Sequence, residues 1–264
     1  MAPHLLALDV GNTFIAGGYF MAGRLVFHFQ VASDTGRSAD EYGLRLRQLV
    51  ELHGGEAGEL PSVLCSVVPP LTAALAEALA RYFGAAPVVV GDDYEALGID
   101  VRYENPAEVG PDRVVNALAT RELYGAPAVV VDFGTATTFD VVSAEGAYVG
   151  GVIAPGVAVS AQNLFERAAR LAPVDFTLPP RVVGRNTEEA LRAGIILGAA
   201  RAADGIVEAI QEERGERGFL VATGGLAAVV APVMTTAPRL DAELTLKGLA
   251  LVYERLTSRG EQTS

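Results

Sequence analysis

The chain has 264 residues, half of them hydrophobic and a fifth charged, with a formal net charge of −12; this is the balance of a packed protein long enough for two cores. Twenty Lys and Arg stand against 32 Asp and Glu with no basic run, which argues against a nucleic-acid partner, since phosphate-backbone binding needs clustered positive charge. No apolar run reaches the roughly 18 residues of a membrane helix, and the opening MAPHLLALDVGNT has no basic n-region, so a cytoplasmic protein without a membrane segment is expected.

HLLALDV, FIAGGYF and RLVFHFQV, within residues 4–31, are apolar runs separated by short polar or glycine turns, and read as an antiparallel meander. ADEYGLRLRQLVELHG sets Tyr42, Leu46, Leu49 and Val50 on one helix face and stops at Gly54. SVLCSVV is a buried strand, PPLTAALAEALARYFG a helix opened by proline and closed by glycine, and APVVVG another strand. DRVVNALATRELYG, with Pro111 before it, is a helix. The recipe then repeats. APAVVVDFG, TATTFDVVS and AYVGGVIAPG are three strands, and helices follow over about 158–171 and 187–213, the second opened by a capping box of Asn186 and Glu189. GFLVATGG is a strand ending in two glycines, and DAELTLKGLALVYERL a closing amphipathic helix. Asp9 and Asp132 mark equivalent points of an internal duplication.

At those points the chain says nearly the same thing twice: LALDVGNT at 6–13 and VVDFGTAT at 130–137. One Asp-x-Gly at a strand end is explained by turn chemistry alone, since Asp bonds its own backbone and glycine supplies the unusual φ. Two copies, each followed by small hydroxyl or amide residues, describe a phosphate cradle. Asp9 and Asp132 would repel phosphate but can hold a cation that binds it. Both turns lead into further strands, which disfavours a Rossmann site, and Lys247 is the only lysine, which excludes a P-loop. A third pair, Gly224 and Gly225, lies between a strand and an expected helix and suits a nucleotide or a plain helix start equally. Cys65 is the only cysteine, a buried spectator on this reading that rules out disulfides and paired-cysteine zinc sites. His4, His28 and His53 all lie in the first quarter, which leaves hydrolytic triads hard to build.

Paired hairpin turns in a duplicated α/β frame, with a late strand-Gly-Gly-helix, resemble the actin, Hsp70 and sugar-kinase superfamily. That likeness implies two actin-like (ribonuclease H-like) domains with mixed sheets and an interdomain ATP cleft. The domains are expected over 1–115 and 116–264, with the last helix, about 243–256, packing back on the first. The set DVGNT, SVVPPL, YENPAEVGPDRVVNA, VVDFGTATTFDVV, GGVIAPG, GRNTEEALRAG and ATGGLA occurs in order across nearly the whole chain and resembles type III pantothenate kinase.

The resemblance implies ATP-dependent phosphorylation of pantothenate to 4′-phosphopantothenate, the first step toward coenzyme A. By it Asp9, Val10, Gly11, Asn12, Thr13, Phe14, Ile15, Ala16 and Thr135 would contact ATP, with Asp9 facing the phosphates and Mg2+ directly or indirectly. Asp132 would hold a monovalent cation, K+ or NH4+. Tyr103, Gly110, Pro111, Asp112, Arg113 and Thr187 would line the pantothenate site, and Asp112 matches the family's catalytic acidic residue. Pro111 stands where the family usually has alanine; proline suits a first helical position, and no loss of activity is expected. The family forms homodimers with the site near the subunit interface, and AGIILGAARAADGIVEAI is the candidate dimer face, although a core helix would look the same.

Read from chemistry alone, Asp112 and Arg113 also fit an ordinary helix start, where the dipole would lower the Asp pKa and weaken it as a base. Arg113 reads equally as a carboxylate clamp or as a structural or exposed arginine. Asp140 and Asp175 read as structural. Two rivals keep the fold: another small-molecule kinase or phosphatase of the superfamily, and a non-catalytic regulatory accessory protein. Intact Asp9, Asp112 and Asp132 favour the enzyme.

Overall fold

A computed structural model describes residues 4–91 and 93–262. Its contacts divide the chain into two units. The first runs to Ala119 and resumes at Thr245, and the second is Thr120–Leu244.

In the first unit β1 (His4–Val10), β2 (Phe14–Met21) and β3 (Arg24–Ala32) form the meander, and β4 (Ser62–Ser66) and β5 (Val88–Val89) add in parallel, giving the order β3-β2-β1-β4-β5. Leu6, Ala7 and Leu8 of β1 are fully buried, as a strand covered on both faces requires, whereas edge strand β3 alternates exposed with half-buried residues. The expected strand APVVVG shrinks to two residues at the other edge.

Helix α1 (Ala39–Leu52) begins at a capping box in which Glu41 N–H donates to Ser38 Oγ at 3.3 Å and Ser38 N–H to Glu41 Oε2 at 2.9 Å. Its Tyr42, Leu46 and Val50 meet Leu71, Leu75, Leu79 and Phe83 of α2 (Pro69–Phe83) in the core. Burying each such side chain is worth about 1.5–3 kcal/mol. Helix α3 (Pro111–Leu123) starts at Pro111 as expected. Within this unit the final helix meets α3 where Thr245 donates to Asn116 Oδ1 at 2.8 Å.

The second unit repeats the order. Strands β6 (Ala128–Phe133), β7 (Ala136–Val142) and β8 (Tyr148–Pro155) form the second meander, and β9 (Phe219–Thr223) and β10 (Arg239–Leu240) add in parallel, giving β8-β7-β6-β9-β10. Helix α4 (Val157–Arg167) ends four residues short of the expected 171. The chain beyond Ala168 carries Pro173, Pro179 and Pro180 and stays irregular. Helix α5 (Thr187–Arg214) is capped when Glu189 N–H donates to Asn186 Oδ1 at 2.8 Å. The return arm differs from the expected box, because the Glu189 carboxylate reaches Arg185 N–H at 3.0 Å. Ala200, Ala203 and Val207 of α5 pack on Val131, Phe133 and Ala222, the small side chains setting the helix close to the sheet. After Gly224 and Gly225 the expected helix is a single turn, α6 (Ala227–Val230), followed by a 3-10 turn over Ala231–Val233 that contains Pro232. The last helix, α7 (Leu244–Gln262), runs beyond the expected 256.

Candidate active site

Asp9 is the first polar residue after a buried run, placed half-buried near the end of β1. Beyond Val10 the chain turns through residues 11–14, closed by Gly11 N–H donating to Phe14 O at 3.0 Å. Asn12, Thr13 and Phe14 are exposed, Ile15 is buried against the core, and Val10 and Ala16 lie on the paired strands. A residue that the sequence pattern did not mark, Ser33, supports the turn. Its hydroxyl donates to Gly11 O at 2.6 Å and its N–H to Thr13 O at 3.0 Å.

The β1 ladder puts Asp9 opposite Cys65 of β4. Burial pushes the Cys65 thiol far above its usual pKa, and the negative charges of Asp9 and Asp112 push it further. The thiol is therefore inert, as expected of a spectator. Both carboxylates act on one buried atom, so the first unit brings Asp9 and Asp112 into the same neighbourhood.

Asp112 is the second residue of α3, and its Oδ1 accepts from Arg113 N–H at 2.9 Å. A Cβ on Gly110 would stand 2.5 Å from that oxygen, so only glycine leaves the carboxylate its place. The preceding segment is anchored where Tyr94 OH donates to Val109 O at 2.6 Å, while Tyr103 stays exposed. The expected lowering of the Asp112 pKa is reversed. Desolvation by burial raises it, outweighing the Arg113 N–H bond and the Arg113 charge. Arg113 itself is buried, which removes the exposed reading.

In the second unit Asp132 is half-buried at the end of β6, opposite Thr138 of β7 and Thr223 of β9. Glycine backbone surrounds it. A Cβ on Gly224, whose φ is +91°, would collide with Asp132 Oδ1 and lie 2.7 Å from Phe133 backbone atoms. A Cβ on Gly134 would stand 3.3 Å from the same oxygen. Gly156, just after β8, lies against the Thr135 carbonyl and leaves only 2.8 Å between a Cβ and Gly134 O. Thr135 is exposed and Thr137 buried. Thr187 is the exposed first residue of α5. Asp140 is fully buried and accepts from Tyr148 OH at 3.2 Å, a structural role as expected; Asp175 lies 3.9 Å from Arg192.

Sequence reasoning also missed Asp204 on α5. Buried at 4% exposure, it accepts the N–H and hydroxyl of both Thr235 and Thr236 at 2.7–3.0 Å. The signal available in the sequence is an acidic residue set within the apolar run AGIILGAARAADGIVEAI.

The donors suit hard cations. Carboxylate oxygen is the preferred protein ligand for Mg2+, which usually takes one or two carboxylates and completes its shell with water and substrate phosphates. Among the described residues no three His, Cys, Asp or Glu gather into a cage, so Asp9 fits that shared arrangement and not a self-sufficient one. At Asp132 the backbone of Gly224 packs directly on the carboxylate, and the carboxylate and main-chain oxygens of this turn are the donor types that a monovalent cation takes.

The family model described as type III pantothenate kinase matches residues 5–209. A type III pantothenate kinase from Moorella thermoacetica is 49% identical over 254 residues, spanning 96% of this chain and all of its own. Among solved structures, a Baf family protein from Campylobacter jejuni is 19% identical, with a TM-score of 0.58 over 97% of this chain and 99% of its own. A ROK family glucokinase from Streptomyces griseus, solved with glucose and AMPPNP, is 12% identical, with a TM-score of 0.51 over 95% of this chain and 98% of its own. At these identities the structures show the shared fold of two actin-like halves, each a mixed sheet with helices.

Proposed function

The chain belongs to the type III pantothenate kinase family and phosphorylates pantothenate with ATP on the way to coenzyme A; from that premise we propose the work of its individual residues. Asp112 accepts the proton of the substrate's terminal hydroxyl as the bond to phosphorus forms. The observation that carries this is the half-buried carboxylate at the start of α3, with Oδ1 fixed by Arg113 N–H at 2.9 Å, which leaves Oδ2 for the alcohol. Its raised pKa makes it a better acceptor than an exposed Asp. A strong base is not required, because phosphoryl transfer passes through a loose transition state and positioning supplies most of the catalysis. Buried Arg113 clamps the pantothenate carboxylate, a bidentate partner for guanidinium, with Tyr103, Gly110, Pro111 and Thr187 completing the substrate contacts.

In the first unit residues 9–16 receive the nucleotide, Asp9 meeting the Mg2+-bound phosphates. In the second, Thr135 meets the nucleotide and Asp132 holds K+ or NH4+. Bound cations offset the charge of the phosphates, a duty that a chain with one lysine delegates. The enzyme works in the cytoplasm as a homodimer. The inner stripe of α5, including Ile196, Ala200 and Val207, is buried in its own core, whereas Gly194, Gly198 and Gly205 face open space and would serve a subunit contact.

An ADP-release assay with Mg2+, with and without K+, offering pantothenate beside glucose and acetate, tests the reading. Turnover with pantothenate alone, dependent on the monovalent cation, is expected. Turnover with glucose but not pantothenate overturns it.

A further inference from the structure

Ser33 is the first residue after β3, and both of its hydrogen bonds to the first turn end on main-chain carbonyls. The hydroxyl holds Gly11 O at 2.6 Å and the N–H holds Thr13 O at 3.0 Å. A trans peptide is planar, with its C=O and N–H on opposite sides. The Gly11 carbonyl and the Asn12 N–H belong to one such plane. With the carbonyl drawn onto Ser33, the Asn12 N–H points away from it, at a residue that is exposed.

The second turn shows that this support is a choice and not a requirement of the fold. Phe14 pairs with Ala32 just before Ser33, and Ala136 pairs with Pro155 just before Gly156, so Ser33 and Gly156 hold equivalent places. Gly156 reaches its turn by having no side chain at all, lying against the Thr135 and Gly134 carbonyls. Only the first turn carries a hydroxyl brace at this place.

We propose that Ser33 is a positioning residue of the kinase: by fixing the Gly11–Asn12 peptide it aims the Asn12 N–H at a phosphate of ATP. The proposal rests on residues 9–16 being the nucleotide turn. Ser33 touches no substrate and acts through the peptide it holds.

Steady-state kinetics on the full-length enzyme test it with Ser33→Ala and Ser33→Thr. Loss of one hydrogen bond to the turn is expected to raise the KM for ATP about five- to tenfold, with the pantothenate KM unchanged, and Ser33→Thr, which keeps the hydroxyl, should return the ATP KM toward the wild-type value. An unchanged ATP KM in Ser33→Ala, whatever its melting temperature, overturns the proposal, as does an equal rise in both KM values. Asp9→Asn in the same assay separates the two levels. If it raises the ATP KM and Ser33→Ala does not, the turn binds nucleotide without help from Ser33. If neither does, the reading of the turn falls and the proposal with it.

Discussion

Gly224 lies flat against the carboxylate of Asp132, so that a β-carbon at residue 224 would collide with Asp132 Oδ1 and sit 2.7 Å from the Phe133 backbone. Residue 224 also has a φ of +91°, which costs a side chain on the order of 1–3 kcal/mol. Two independent penalties therefore keep a side chain out of residue 224 and hold the Asp132 carboxylate where it is.

Gly224→Ala is expected to displace that carboxylate before it unfolds the unit. The K+ concentration for half-maximal activity should rise at least about tenfold, the equivalent of roughly 1.4 kcal/mol at the cation, and melting should fall by several degrees. Titrating activity against K+ in wild type and variant checks this. Wild-type cation dependence with a lowered melting point would leave Gly224 a structural residue only.

Asp112→Asn separates catalysis from stability. Removing an aligned proton acceptor should lower kcat by about 10²–10⁴-fold while the ATP KM stays within about twofold. Stability should move the other way. The Asp112 pKa is raised in the folded chain, so the folded state binds the proton more tightly than the unfolded one. That contribution is full below the ordinary carboxylate value of about 3.9 and is lost as pH rises through the folded pKa. At neutral pH the variant is accordingly expected to melt no lower than wild type. The acid limb of the wild-type kcat/KM profile should lie above the ordinary carboxylate range and vanish in the variant. Equal losses of kcat and ATP affinity would remove Asp112 from the chemistry.

These effects show where sequence was informative. LALDVGNT was legible because a continuous apolar run, a terminal Asp and a glycine turn are local signals, and its repeat at VVDFGTAT pointed to the duplicated fold. The start of α3 at Pro111 was legible for the same reason. Ser33 was not, because its partner Gly11 is 22 residues away and nothing in VASDTG marks a serine that reaches back. For Asp112 the helix start, which lowers a carboxylate pKa, is visible in sequence, whereas the desolvation by the surrounding fold that raises it is not. Helix α4 stops at Arg167, short of the expected 171, and the segment that follows, with Pro173, Pro179 and Pro180, stays irregular.

Asp204 illustrates a stabilising group that local pattern hides. Burial would raise its pKa, but the N–H and hydroxyl groups of Thr235 and Thr236 more than offset this and hold it well below the usual carboxylate range. Asp204→Ala strips the partner from these donors and should cost about 2–4 kcal/mol in urea unfolding of the full chain. Because the folded pKa is depressed, the difference from wild type should persist from neutral pH down to about 4 and shrink below it. A constant difference through pH 3 would mean that packing, and not the charge, accounts for the loss.

Arg113 tests how the substrate is recognised. A buried guanidinium is expensive without an anionic partner, and its neighbour Asp112 is itself half-buried and in reach of its charge. On the clamp reading this guanidinium also meets the carboxylate of the substrate. Arg113→Lys keeps the charge but loses the planar fork. It is expected to raise the pantothenate KM about tenfold or more, the worth of one charge-assisted hydrogen bond, without changing the ATP KM. Pantothenol, in which an alcohol replaces the carboxylate, should be used poorly by wild type and equally poorly by Arg113→Lys. If the variant loses pantothenol and pantothenate activity by the same factor, Arg113 supports Asp112 and the α3 start and does not read the substrate's carboxylate.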